Sequence, residues 1–286
     1  MVELTDLTAG DASLVLAPSM GGGIARLDVG GKPVLRPWSG DETDPFSLAC
    51  NVLIPFSNRI SGGGFTWRDT FYPLASNLEG ERFPIHGNAF QRPWQITKTG
   101  TSASMTLPDG NFGPWTYEAQ QAFDLTPNKL DVKLTVTNRG KDPMPFGCGL
   151  HPWFPRDCET QLSFSAQAVW LEDKFHLPSK LLQLPDNSEW SFEHPRNLPK
   201  TWINNCYSGW RGAARICQSD CGVSCAIYSD QIMKYAVVFS PDETANFFCF
   251  EPVSHAINSF HKEGQLGLVE LVNGESLTSN IVFSWN

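Results

Sequence analysis

Leu130-Asp131-Val132-Lys133-Leu134-Thr135-Val136-Thr137 is the stretch that decides the fold class. Apolar and polar residues alternate strictly, and in a strand successive side chains point to opposite faces. Leu130, Val132, Leu134 and Val136 therefore share one face that needs a core, while Asp131, Lys133, Thr135 and Thr137 face water. A helix would need its apolar residues three or four positions apart.

The same alternation recurs on both sides of this stretch. Residues 161–170, 223–228, 235–239, 247–250 and 277–285 read as strands, as do 14–16, 24–29 and 32–36 nearer the N-terminus. Turn-forming clusters fall between them: Pro108-Asp109-Gly110-Asn111, Asn138-Arg139-Gly140-Lys141, Ser219-Asp220-Cys221-Gly222 and Asn273-Gly274-Glu275. Helical periodicity is scarce and no strand–helix–strand rhythm appears. The pattern predicts an all-β chain, a large antiparallel β-sandwich. Residues 178–200 carry four prolines and little periodicity, and read as a long excursion over the surface. With no repeat and no flexible linker, residues 1–286 are expected to form a single domain.

Composition narrows the function. Hydrophobic residues make up 41% and charged residues 18%, a balance that suits a chain burying much of its surface. The net charge of −9 and the lack of a basic run argue against nucleic acid as a partner. Met1-Val2-Glu3-Leu4-Thr5-Asp6 has no basic, apolar signal-peptide pattern. No apolar run reaches the ~18 residues that span a bilayer, so no membrane partner and a cytoplasmic location are expected. Cys217, Cys221 and Cys225 look like a metal clip, but they fall on a strand, a turn and a strand with no CxxC pair, so no metal site is assigned.

Two short motifs carry candidate chemistry. One is Gly149-Leu150-His151-Pro152-Trp153-Phe154 and the other Phe250-Glu251-Pro252-Val253-Ser254-His255. Each sets a proton-transfer residue beside a proline, which restrains its neighbour. A histidine and a glutamate so held suit a reaction that gives a proton at one atom and takes one from another. Ser57-Asn58-Arg59-Ile60 and Ile85-His86-Gly87-Asn88 add polar donors of the kind that sugar hydroxyls require.

Together these four motifs resemble the aldose 1-epimerase (galactose mutarotase) family, from about residue 21 to the C-terminus. The resemblance implies the galactose mutarotase-like supersandwich, with a sugar cleft on one concave sheet. It implies a mutarotase that interconverts the anomers of an aldose without metal or cofactor. His151 then acts as acid toward the ring oxygen and Glu251 as base toward the C1 hydroxyl. The two are expected to face each other across about one sugar ring, too far apart to bond directly. Arg59 and His86 correspond to substrate-contacting residues, and Trp153 is a candidate to stack on a sugar face. His176 and His194, in or near the proline-rich excursion, read as solvated. The partner is a monosaccharide, and the assembly a monomer or homodimer.

One segment departs from the family. Thr201-Trp202-Ile203-Asn204-Asn205-Cys206 resembles a stretch that usually carries a sugar-binding aspartate, and Asn204 stands in its place. An amide donates as well as accepts and carries no charge. This implies weaker use of glucose and galactose and room for another, even anionic, aldose. Two alternatives remain: a catalytically silent carbohydrate-binding sandwich, and an epimerase of phosphorylated or sulfonated sugars. The latter needs a cationic cluster beyond Arg59, for which Arg82, Arg92 and Arg211 are the candidates.

Overall fold

The computed structural model describes residues 2–41, 44–184 and 188–285. Among them helix is confined to four three-residue 3-10 turns, and the rest of the regular structure is strand. Two large antiparallel sheets, of eleven and nine strands, account for nearly all of it. The all-β sandwich expected from alternation is the fold observed.

The deciding stretch forms the Lys129–Asn138 strand of the nine-stranded sheet, between the Trp115–Thr126 and Ser276–Ser284 strands. Leu130, Val132, Leu134 and Val136 are fully buried. They join one core with residues of the other sheet, including Leu150, Phe154, Phe248 and Phe250. Phe154 meets Phe283 across the layers at 6.5 Å between ring centroids. At ~1.5–3 kcal/mol per buried large apolar side chain, this seam is what holds the two sheets face to face.

Three local expectations are corrected. Pro108-Asp109-Gly110-Asn111 is not a turn but lies inside the Ser102–Phe112 strand, whose pairing shifts register between Tyr117 and Ala119. The bulge takes in the extra residue, and proline is tolerated where a ladder bond is missing. Residues 161–170 are two strands rather than one. Gln161–Phe164 belongs to the nine-stranded sheet and Ala168–Glu172 to the eleven-stranded sheet, so the chain changes layers between them. The start of the proline-rich excursion, Pro178–Gln183, is an edge strand paired with Ala168–Glu172. Its residues 185–187 lie outside the described residues.

The eleven-stranded sheet positions the site. Its centre runs Cys50–Leu53, Gly149–Pro155, Phe247–Val253, Tyr235–Ser240, Ile203–Ser208 and Ala168–Glu172. Leu150, Phe154, Phe248 and Phe250 point into the core, so His151, Trp153 and Glu251 point to the opposite face. Loops wall that face, leaving His151 7% and Glu251 2% exposed.

Candidate active site

His151 and Glu251 stand on neighbouring antiparallel strands. Gly149 pairs with Val253 and Trp153 with Cys249, so His151 and Glu251 fall opposite each other midway between. Their Nε2 and Oε1 atoms are 3.4 Å apart. The expected gap of one sugar ring is therefore wrong. Directly opposed residues on adjacent strands have Cβ atoms only ~4.5–5.5 Å apart, too close to admit a ring.

Burial governs the charge of both groups. It pushes the Glu251 carboxyl up to about 8, with the Arg59 charge pulling the other way. It lowers His151 to about 3, opposed by the residue's own backbone carbonyl and assisted by the Arg36 charge. Burial thus favours the uncharged form of each group, a neutral imidazole beside a protonated carboxyl. Among the described residues Glu251 Oε2 and His151 Nδ1 are buried without a hydrogen-bond partner, as are Trp153 Nε1 and Asn51 Oδ1. Unpaired buried polar atoms cost ~1–3 kcal/mol each, and four of them on neighbouring residues mark a place shaped for something other than stability.

The pair lies at a cavity of ≈ 290 Å³, at the small end of small-molecule sites (~300–1,000 Å³). Arg59, His86, Trp153 and Asn204 all line it with His151 and Glu251, so every assigned site residue converges although they span some two hundred positions. A hollow of ≈ 390 Å³ on the nine-stranded sheet is lined largely by Thr, Ser, Asp131 and Lys133. It holds no buried acid–base pair.

The two loops bearing Arg59 and His86 are fixed by two neutral imidazoles. His255 Nε2 accepts from the Ser57 N–H (3.0 Å), and His86 Nδ1 accepts from the Asn58 N–H (3.0 Å). His86 must then carry its proton on Nε2, which makes it a donor. Burial drives its pKa well below the ordinary value, and the Arg59 charge, with His151 and His255 whenever they are protonated, acts the same way. Asn77 fastens the other side, accepting from the Ile85 N–H (2.8 Å) and donating to the Ile85 and Gly87 carbonyls (2.9 and 2.6 Å). Asn58, which also lines the cavity, adds to this, its side chain accepting from the Arg59 N–H.

Gly87 allows that close approach. Its φ is +63°, and a Cβ there would lie 2.1 Å from the Ile54 carbonyl oxygen. Gly87→Ala should displace the His86 segment. Strain of ~1–3 kcal/mol, with the clash added, is expected to lower Tm by roughly 2–10 °C. Thermal melting checks it, and an unchanged Tm would show that the loop adapts freely.

The remaining residues are placed less simply. Arg59 is held by Glu81 through two bonds, Nε–Oε2 2.9 Å and Nη2–Oε1 2.6 Å. Trp153 packs its ring on His151 (4.9 Å between centroids, 23°) and under the Arg36 guanidinium (4.2 Å), which compete with a sugar for its faces. Arg82 lies over Phe175, Arg92 meets Asp109, and Arg211 sits by a different hollow beside Trp210, so the three do not converge. His176 is not simply solvated; it lines the cavity and bonds Glu172.

Sequence reasoning missed Glu81, Glu172 and Trp202. Acidic side chains near loops carry no local mark that separates a cavity wall from solvent. The signal for Trp202 was its spacing, since Trp202 and Asn204 alternate onto one face. Among the described residues no group of three His, Cys, Asp or Glu side chains is placed to hold a metal. Among the same residues no helix is long and apolar enough to cross a membrane.

The fold is thus a β-sandwich that holds a buried carboxyl–imidazole pair at a small cavity on one sheet. The aldose 1-epimerase family model matches residues 3–284. The chain is 35% identical over 258 residues to YphB of Escherichia coli K12, an uncharacterised protein, covering 87% of each. It is 26% identical to YihR of the same organism over 98% of this chain and 92% of that one. A candidate aldose 1-epimerase from E. coli K12 superposes with a TM-score of 0.93 at 32% identity over the whole of both chains. A galactose mutarotase-like protein from Clostridium acetobutylicum, at 18% identity and TM-score 0.83 over 100% and 98% of the two chains, shares the fold. The chain belongs to the aldose 1-epimerase family.

Proposed function

We propose that this protein is an aldose mutarotase, in which His151 and Glu251 catalyse ring opening and closure of one monosaccharide. The carrying observation is their 3.4 Å separation within a cavity that also collects Arg59, His86 and Asn204. Opening needs a proton given to the ring oxygen and a proton taken from the C1 hydroxyl. Both oxygens are bonded to the same carbon, so the acid and the base must stand side by side. Adjacent strands supply that placement.

The step balances within the pair. Protonated His151 gives its proton to the ring oxygen as the C1–O bond breaks. The C1 hydroxyl becomes the aldehyde oxygen as Glu251 takes its proton. Neutral His151 and protonated Glu251 remain beside the open chain, which is the state burial favours in the empty cavity. Rotation about C1–C2 exposes the other face, and reversal of the transfers closes the other anomer. Substrate hydroxyls donating to Glu251 Oε2 favour the carboxylate and so return the proton to His151. No oxidation state changes overall, so the chemistry requires no cofactor.

Arg59 is already neutralised by Glu81, which favours a neutral aldose over an anionic one. A silent binder needs no carboxyl and imidazole within hydrogen-bond range of each other, and leaves that pair unexplained. The test is exchange between anomers, followed by NMR on a panel of neutral and anionic aldoses. Catalysed exchange of at least one neutral aldose is expected. Binding without exchange would leave only a carbohydrate-binding sandwich.

A further inference from the structure

The amide at position 204 has a carboxylate beside it. Ala168 pairs with Ser208, Val169 with Tyr207 and Trp170 with Cys206, and the same register carried on sets Glu172 opposite Asn204. Asn204 Nδ2 donates to Glu172 Oε2 at 2.7 Å. The amide nitrogen is thereby turned toward Glu172, and Oδ1 points away from it. Among the described residues Oδ1 has no hydrogen-bond partner, and Asn204 lines the cavity.

Glu172 holds more than Asn204. Its other oxygen accepts from the Trp202 indole N–H, and His176 Nδ1 lies 3.0 Å from Oε2. Trp202 is 45% exposed yet held by Glu172, by the His176 ring at 5.4 Å and by Phe239 at 5.2 Å. Fixing an exposed tryptophan gives up rotamer freedom and presents a flat apolar face at the cavity wall. One carboxylate thus orients an acceptor and an aromatic wall together.

We propose that Glu172 is a positioning residue for substrate recognition, which turns Asn204 Oδ1 toward the bound sugar so that the two residues together do the work of one aspartate. The charge sits one residue back and polarises the amide that accepts the sugar hydroxyl. The inference rests on the cavity being a sugar site. It also reverses the specificity expected from the sequence, since neutral hexoses keep a strong acceptor.

The test exchanges the two chemistries. Asn204→Asp alone sets two carboxylates at hydrogen-bond distance, where both cannot be ionised. The other ionisable groups facing this point are His176 beside Glu172 and, on the same cavity wall, the Arg59–Glu81 pair, His151 and Glu251. Asn204→Asp should raise KM by about tenfold and make KM climb with pH, with kcat within about threefold of wild type. The double variant Glu172→Gln with Asn204→Asp restores a donor–acceptor pair, and should return KM to within about threefold and abolish its pH dependence. A double variant no better than Asn204→Asp would overturn the proposal, as would an Asn204→Asp protein with wild-type KM at every pH. Calorimetric titration of the same proteins with glucose and galactose reads binding apart from turnover. Binding without anomer exchange in the wild type ends the mutarotase reading and leaves the double-variant comparison to be decided on Kd. A wild type that binds neither sugar overturns the proposal.

Discussion

Glu251→Gln is expected to lower kcat by roughly 10²–10⁴-fold while the protein stays folded. The amide keeps the size of the carboxyl but can neither hold nor release the shared proton. His151→Asn should fall in the same range. Combining the two should cost no more than the worse single change, because the pair acts as a unit and either loss disables it. The fold is expected to survive for a physical reason. Glu251 is fully buried with its carboxyl raised to about 8 from an ordinary 4.5, so at pH 7 unfolding releases it to ionise. That linkage disfavours the folded state by ~3 kcal/mol at pH 7, at ~1.4 kcal/mol per pH unit. Glutamine removes this cost and leaves an amide without partners, which takes back ~1–3 kcal/mol. Tm of Glu251→Gln should therefore be no lower than wild type, and inactivity cannot be assigned to unfolding. Near-normal turnover in a folded Glu251→Gln protein would remove Glu251 from the mechanism.

The fold was legible wherever one face of a strand meets the core, because period two reports burial. Leu130 to Val136 are the plain case. Alternation does not report which sheet a strand joins, so residues 161–170 read as one strand although the chain changes layers within them. Nor does it separate a turn from a bulge, since Pro108 to Asn111 has the composition of both. In the site, motif chemistry pointed to His151, Glu251, Arg59 and His86. Their spacing was beyond it. That His151 and Glu251 are neighbours is a fact of strand register, set by contacts a hundred residues apart. Glu172 is hidden for the same reason: it matters only because the register sets it against Asn204.

The activity profile of the wild-type protein should be a broad plateau that ends in a fall above about pH 8. Free groups at their ordinary values, 4.5 for the carboxyl and 6.5 for the imidazole, would give a narrow optimum between them. Burial spreads the pair instead, to about 8 for Glu251 and about 3 for His151. The catalytic form carries one proton on the pair. Raising pH through about 8 strips that proton from Glu251 and leaves no acid for the ring oxygen. Lowering it through about 3 adds a second proton, on His151, and leaves no base for the C1 hydroxyl. In kcat/KM, which reports the free enzyme, the alkaline limb should fall tenfold per pH unit, to about a hundredfold by pH 10. The measurement is NMR exchange between anomers from pH 4 to 10, with the uncatalysed rate subtracted and folding followed by circular dichroism. Glu251→Gln should lose the alkaline limb, having no proton to give up there. A wild-type kcat/KM optimum confined between pH 4.5 and 6.5 would show that the pair in the free protein is solvated, and that desolvation does not set the proton's place.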